Sequence, residues 1–430
     1  MKSVREFGAV GDGWTKDTTA IQEGIETLAR QGGGRLLFPA GTYLTGTLYL
    51  KSNVFLDLEP GAVILGSPDP ADYNADDFCP QNRVFASEHV SGAHLITAVG
   101  EHNVGIVGGG RIDGNRQAFY NEQREDVPWL LKLNEWRPGQ MIFLCECKNV
   151  TITGVELYNT CYWTCFLHGC QDVTISDLRI WNDQRTPNGD GIDLDCCQRV
   201  NVTNCNIDSG DDCITLRGCV DPLLEPRACE QVTISNCVLR TRCNAFRIGV
   251  GTGIVRNCTI SNIVFWGTRT AVAINSRYTP ASTGVTIENI QFENLRMDCK
   301  RPIVITSYVR GVCEEESKLI RNISFRHITG RASHSSLILG NTARQVKNIS
   351  ICDVDLDYFG GADNANDRQY HIYGEWSTPR SAPNPFYAEN VDGITFRDIF
   401  VNIDGADASR WEAKFRLVNC REGRAAAKEL

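Results

Sequence analysis

Short stretches in which apolar and polar residues alternate recur along the chain. "NVTITGVELYNT" at 149, "DVTISDLRIWND" at 172, "QVTISNCVLRTR" at 231, "GVTIENIQFENL" at 284 and "NISICDVDLDYF" at 348 share one plan. Each is a short alternating segment, a polar corner and a second alternating segment. Period-2 alternation predicts strands with one buried face. The unit returns every 23 to 31 residues, and wider gaps hold two units or an insertion. A period in that range marks a solenoid. The Val, Ile, Thr and Asn content, with no helix-length periodic run, excludes the helical kinds, and no Leu ladder supports a leucine-rich repeat. The pattern predicts an all-β chain, a single-stranded right-handed parallel β-helix with coils stacked about 4.8 Å apart.

The corners carry Asn204, Asn236, Asn257, Asn289 and Asn294, whose amides are expected to bond along the stack. Cys205, Cys237 and Cys258 each follow a corner Asn and are expected to form one inward column. An open solenoid end templates aggregation unless covered. "KDTTAIQEGIETLARQGGG" predicts the cover: a helix over 17–31, with Asp17 as N-cap, Ile21, Ile25, Leu28 and Ala29 on its apolar face, and Gly32 as its stop. Insertions are expected at about 67–90 and 115–140, the second holding Trp129 and Trp136. No linker composition interrupts residues 1–430, so one domain is expected.

Composition narrows the function classes. The net charge is −9 and no basic stripe occurs, which argues against nucleic acid. No apolar run approaches the roughly 20 residues of a membrane span, and the first residues lack an apolar signal core. Nineteen cysteines would suit a disulfide scaffold, but the number is odd, the chain is large, and several cysteines lie inside the repeats. Buried thiols in a reducing compartment fit better, so a cytoplasmic location is expected. The oligomeric state is open.

The chemistry concentrates in "NGDGIDLDCCQRVNVTNCNIDSGDDCI", residues 188–214, with six aspartates and Arg199 as its only cation. Asp190 precedes Asp211 and Asp212 by about one coil, so the three carboxylates should share one patch. Ile192 and Leu194 supply the inward alternation, so Asp193 and Asp195 should point outward into solvent or a groove. Asp208 is expected to serve its own turn. Two adjacent aspartates stacked over a third exceed what turns require. Crowded like charges raise the pKa of one member and keep a proton on it. A protonated carboxyl beside an ionised one suits glycosidic hydrolysis, and carboxyls about 6.5–9.5 Å apart predict inversion. Other readings remain: a calcium site, as in a lyase, for which Arg217 and Arg247 are the only nearby bases, or a binding module without catalysis.

Together "FGAVGDGWTKDTTAIQEGI", "GGGRLLFPAGTYLTGTLYLKSNVFLDLEPGAVILGS", "GGGRIDG" and the acidic stretch resemble glycoside hydrolase family 28, the polygalacturonase-like pectin hydrolases, from about residue 5 to at least 330. The resemblance implies an inverting, metal-independent hydrolase with no cofactor, acting on an oligosaccharide. Asn188–Gly191 matches the family's Asn-Thr-Asp-Gly with Gly189 in place of Thr, and its Gly-Asp-Asp is intact at Gly210–Asp212. By resemblance Asp211 is the general acid, Asp190 and Asp212 hold and deprotonate water, and Arg217 is the basic residue near the sugar.

Two departures bear on the substrate. Asn244 stands where the family's Gly-His-Gly His is expected, with Arg247 three residues on. Ala273 and Asn275 stand where Arg-Ile-Lys would grip a uronate carboxylate. Neither can make the bidentate contact of a guanidinium. Arg247, Arg269, Arg277 or Arg310 are candidates to replace that charge, and Asn244 to orient a hydroxyl. A galacturonide or rhamnogalacturonan-type chain with a rhamnose or neutral sugar in one subsite, or a neutral-sugar glycoside, is therefore expected. A substrate small enough to be imported, with insertions at about 67–90 and 115–140 placed to wall off one end of the groove, favours exo-action on short pectin-derived chains. Trp163, Trp181, Trp266, Tyr278 and Tyr308 lie in or beside repeats, where packing is their default role.

Overall fold

The computed structural model describes every residue except 86–87, 124–129, 278–282, 308–317, 342, 361–381, 404, 406 and 424–430, with backbone alone at 121–123. Trp129, Tyr278, Tyr308, Arg310 and Cys313 lie outside the described residues. The chain is a right-handed parallel β-helix. It divides into two compact units, Met1–Ile214 with Asp221–Arg227, and Thr215–Val220 with Ala228–Leu430.

In the first unit, strands of successive coils pair in parallel and in register. Val104, Val150, Val173 and Val200 oppose one another, as do Ile106, Ile152, Ile175 and Val202. All eight are buried at 0–1% exposure. Alternation puts these β-branched residues inside, and each buried side chain contributes roughly 1.5–3 kcal/mol. The helix Thr18–Arg30 buries Ile21, Gly24, Ile25 and Leu28, and Leu36 of the strand Gly34–Phe38 packs against Gly24. Gly32 ends it at φ +95°. Ala29 is half-buried. Asp17 departs from its expected role. It holds the N-cap position without a side-chain cap bond, and its buried carboxylate accepts from the N–H groups of Val10 (2.7 Å) and Gly11 (2.9 Å). Those loop amides have no strand partner, and they outcompete the helix end.

Both expected insertions leave the coil pattern. Residues 67–90 contain a short 3-10 turn, Pro70–Asp72. Residues 115–140 contain an antiparallel pair, Tyr120–Gln123 and Leu131–Leu133. There Phe119, Tyr120 and Leu131 pack with Cys161 and Trp136 in a separate apolar cluster.

In the second unit one internal column runs Ile260, Phe292, Phe325, Ile351 and Phe396. The Phe292 and Phe325 rings stack 4.6 Å apart at 6°. The expected Asn ladder exists as two. Asn236, Asn262 and Asn294 bond in series at 3.1 and 2.7 Å. Asn257, Asn289, Asn322 and Asn348 bond in a second series at 3.1, 2.8 and 3.1 Å. All seven have φ between +53° and +57°, the left-handed region Asn tolerates.

The expected Cys column does not form in the second unit. Cys237 opposes Ile263, and Cys258 opposes Val232 and Ile290. A thiol column does stand in the first unit, where Cys147, Cys170 and Cys197 donate to the carbonyls of Ala98, Leu144 and Leu167 at 3.5, 3.2 and 3.3 Å. Burial pushes the Cys170 thiol well up. Of the eighteen described cysteines, all free, only Cys79, Cys243 and Cys420 are half-buried and the rest are buried. A thiolate-selective reagent is therefore expected to label those three first, Cys79 and Cys420 slowly because burial pushes their thiols up, and the other fifteen only after denaturation. Rapid native labelling of Cys147, Cys170 or Cys197, located by peptide mass mapping, would contradict this packing.

Candidate active site

Asn188–Gly191 forms the corner leading into the strand Ile192–Asp195, and Asp211 and Asp212 form the equivalent corner one coil later. Backbone bonds join the two corners. Gly210 N–H donates to Gly189 O at 2.9 Å, Gly191 N–H to Asp212 O at 2.9 Å, and Ile192 N–H to Cys213 O at 2.8 Å. Asp190 sits among these bonds, one coil beneath the Asp211–Asp212 pair. The carboxylate oxygens of Asp211 and Asp212 come within 4.8 Å of each other. Asp190 and Asp212 are buried, at 5% and 8% exposure, and Asp211 is half-buried.

Neighbouring coils hold this corner. The Asp190 carbonyl accepts from Thr164 N–H at 2.9 Å and Thr164 Oγ1 at 2.6 Å. Asn182 donates to Thr164 Oγ1 at 2.8 Å and accepts from Thr160 N–H at 3.1 Å. The preceding turn closes through Thr186 N–H to Asp183 O at 2.9 Å. The Arg185 guanidinium, 2.6 Å from Asp183 Oδ2, holds the Asp183 carboxyl below the usual range despite partial burial. The second insertion docks on this turn through Leu131 N–H to Arg185 O at 2.9 Å.

Two of the other aspartates depart from expectation. Asp193 and Asp195 alternate with core residues Ile192 and Leu194, yet at 0% and 1% exposure they are not solvated. Asp193 lies in register with Phe166 and Asp195 with His168. His168, Asp195 and Cys196 form a buried cluster with heteroatoms within 4.8 Å of one another. Asp208 lies within the strand Asn206–Ser209, and its carboxylate accepts from Gln184 Nε2 at 2.7 Å.

The four candidate binding residues, Arg217, Asn244, Arg247 and Asn275, belong to the second unit. Arg217 is buried at 9% exposure. Phe246 and Ile248 face the core, and Arg247 lies on the opposite face, in register with Ala273. Asn275 shares that outer face, opposite Gly249. The two expected cation positions thus sit beside Arg247, on the next coil. Asn244 has the parity of the core residues, is 5% exposed, and its Oδ1 accepts from Arg269 at 3.5 Å. Sequence reasoning did not single out Arg301, buried at 7% exposure in the same unit, or Arg137, buried at 2% in the second insertion. Neither lies in a motif or at a distinctive repeat position.

Comparison with known proteins bears on the family and the fold. The model of "Glycosyl hydrolases family 28" matches residues 82–371, and a rhamnogalacturonase A/epimerase, pectate lyase-like model matches residues 1–104. A probable polygalacturonase of Vitis vinifera is 31% identical over 223 residues, half of this chain and 44% of its own. An exo-poly-alpha-D-galacturonosidase of Dickeya chrysanthemi is 27% identical over 352 residues, 71% of this chain and 56% of its own. The chain thus spans about half the length of these two curated relatives. The structure of a Yersinia enterocolitica family 28 exopolygalacturonase superposes with a TM-score of 0.71 at 21% identity, covering 98% of this chain and 78% of that one.

Proposed function

The chain belongs to glycosyl hydrolases family 28, and from that premise we propose that it hydrolyses a glycosidic bond in short pectin-derived oligosaccharides, with inversion and from a chain end. One observation carries the reading: Asp190 lies one coil beneath the Asp211–Asp212 pair, tied to it by direct backbone bonds. Among the three, Asp211 is the most exposed, which suits a group that meets the leaving oxygen. Asp211 gives its proton to that oxygen as the bond from the anomeric carbon breaks. Water held by Asp190 and Asp212 attacks the opposite face and loses a proton to a carboxylate. The product is a hemiacetal of inverted configuration.

The outer face of the second unit refines the substrate. With Ala273 and Asn275 in the expected cation positions, Arg247 is the charge beside them. Arg247 is then the candidate on that face to hold a uronate carboxylate, and the Ala273 and Asn275 positions suit a neutral sugar. The free thiols support a reducing, cytoplasmic setting, in which the substrate is an imported oligosaccharide.

Proton NMR of the first product formed from a panel of galacturonide and rhamnogalacturonan oligosaccharides tests this. The initial anomer is expected to be inverted relative to the cleaved linkage. Retention would overturn the mechanism. Binding without turnover on every substrate would instead favour a non-catalytic carbohydrate-binding protein, a reading that the replaced cation positions also suit.

A further inference from the structure

Arg137 comes from an irregular segment, yet it is among the largest fully buried side chains. Its guanidinium reaches four parts of the first unit. Nη1 donates to Pro187 O at 2.8 Å, to Cys161 O at 3.1 Å and to the Tyr120 hydroxyl. Nη2 donates to Glu88 O at 2.8 Å and Asn188 Oδ1 at 3.0 Å, and Nε to His89 O at 3.3 Å. The Tyr162 ring lies 4.8 Å from the guanidinium carbon, and the Tyr162 hydroxyl donates to the Glu88 carboxylate.

Pro187 and Asn188 immediately precede Gly189 and Asp190. Their polar groups have no strand partner at this corner, so something else must fix them. A planar guanidinium with five N–H donors in a fixed fork is suited to holding several acceptors at set angles, where a lysine ammonium is a single point. Arg137 therefore clamps both insertions and the Cys161 corner to the two residues that set where Asp190 begins.

We propose that Arg137 is a positioning residue: it holds Pro187 and Asn188 so that the Asp190 carboxylate meets the attacking water in register with Asp211 and Asp212. The inference rests on reading Asp190 as a water-holding group. Arg137 does not touch substrate; its effect passes through the backbone of 187–190. A misplacement of about 1 Å at a reacting group costs on the order of 100-fold in rate.

The test uses the full chain with Arg137→Met, Arg137→Lys and, alongside, Asp190→Asn. Arg137→Met is expected to lower kcat by roughly 100-fold while KM stays within about threefold, since substrate contacts remain. Arg137→Lys should recover part of kcat, and added methylguanidinium should raise the rate of Arg137→Met but not of Asp190→Asn. A merely structural role would lower the melting temperature but leave kcat per folded molecule unchanged, with no rescue. Should Arg137→Met not fold, the kcat of Arg137→Lys decides, a value within about twofold of the parent overturning the proposal. If Asp190→Asn is inactive while a folded Arg137→Met keeps full kcat, the positioning role alone is overturned. If Asp190→Asn keeps its activity, the assignment of the acids fails and the positioning role falls with it.

Discussion

Asp211→Asn is expected to lower kcat by about 1,000-fold on any pectic oligosaccharide the protein cleaves, with KM changed no more than a few-fold. Asn keeps the size and hydrogen-bonding reach of Asp but carries no transferable proton, so it removes the acid while leaving the corner's shape intact. Asp190→Asn and Asp212→Asn should lose activity on a similar scale, because each removes part of the water's hold. Groups that act as a unit are not additive, so pairing any two replacements should cost little beyond one. Initial rates from released reducing ends measure all of these. The same variants carry a second expectation. Asp211 and Asp212 have carboxylate oxygens within 4.8 Å of each other, with Asp190 one coil below. Asp190→Asn and Asp212→Asn each remove an ionised carboxylate and relieve like-charge repulsion, so their melting temperatures should hold or rise, whereas Asp211→Asn replaces a carboxyl that already holds its proton and should leave the melting temperature near the parent's. Activity above a tenth of the parent's in Asp211→Asn would falsify its role as the acid.

The solenoid was legible because its determinant is local. Alternation within each strand decides which side chains enter the core, and parallel register repeats that choice from coil to coil, as Val104, Val150, Val173 and Val200 do. Stacking of the three acids followed from the same period. What went unread depends on features that alternation does not encode. Asn257 and Asn262 both adopt the left-handed conformation within one coil, so a coil presents two corners with nearly the same preference. An Asn followed by Cys therefore marks either corner: Asn236 joins one ladder and Asn257 the other, which puts Cys237 and Cys258 in different columns. For Asp193 and Asp195 the alternation gave the face, but it says nothing about what covers that face. Arg137 lies in an aperiodic insertion, where a buried arginine looks like any surface one until the chain is folded.

Gly191→Ala and Gly189→Ala differ by one methyl group each, two residues apart on the same loop, yet their outcomes should diverge widely. A Cβ at Gly191 lies 2.4 Å from the backbone carbonyl oxygen of Cys213 and 2.9 Å from Ile207 Cγ2, closer than real Cβ contacts come. The carbonyl cannot step aside, because it accepts from Ile192 N–H at 2.8 Å as part of the ladder between the two corners. Alanine there must prise the coils apart where backbone bonds join the Asp190 corner to the Asp211–Asp212 corner. Overpacking of this kind costs about 1–3 kcal/mol, and a rigid backbone partner puts Gly191→Ala at the upper end. Displacement of Asp190 should add a rate loss on the order of 100-fold. At Gly189 the Cβ has its nearest neighbours, Gly210 Cα and the Thr186 side chain and carbonyl, at 3.3 Å, a tight fit that small shifts accommodate. The family motif carries Thr at that position, in keeping with a site that admits a side chain. Gly189→Ala should therefore keep its melting temperature within a few degrees and its kcat within a few-fold of the parent. Thermal unfolding and steady-state rates on the two variants decide it. Equal behaviour of the pair would mean that the backbone bonds between the two corners do not set the geometry of the acids.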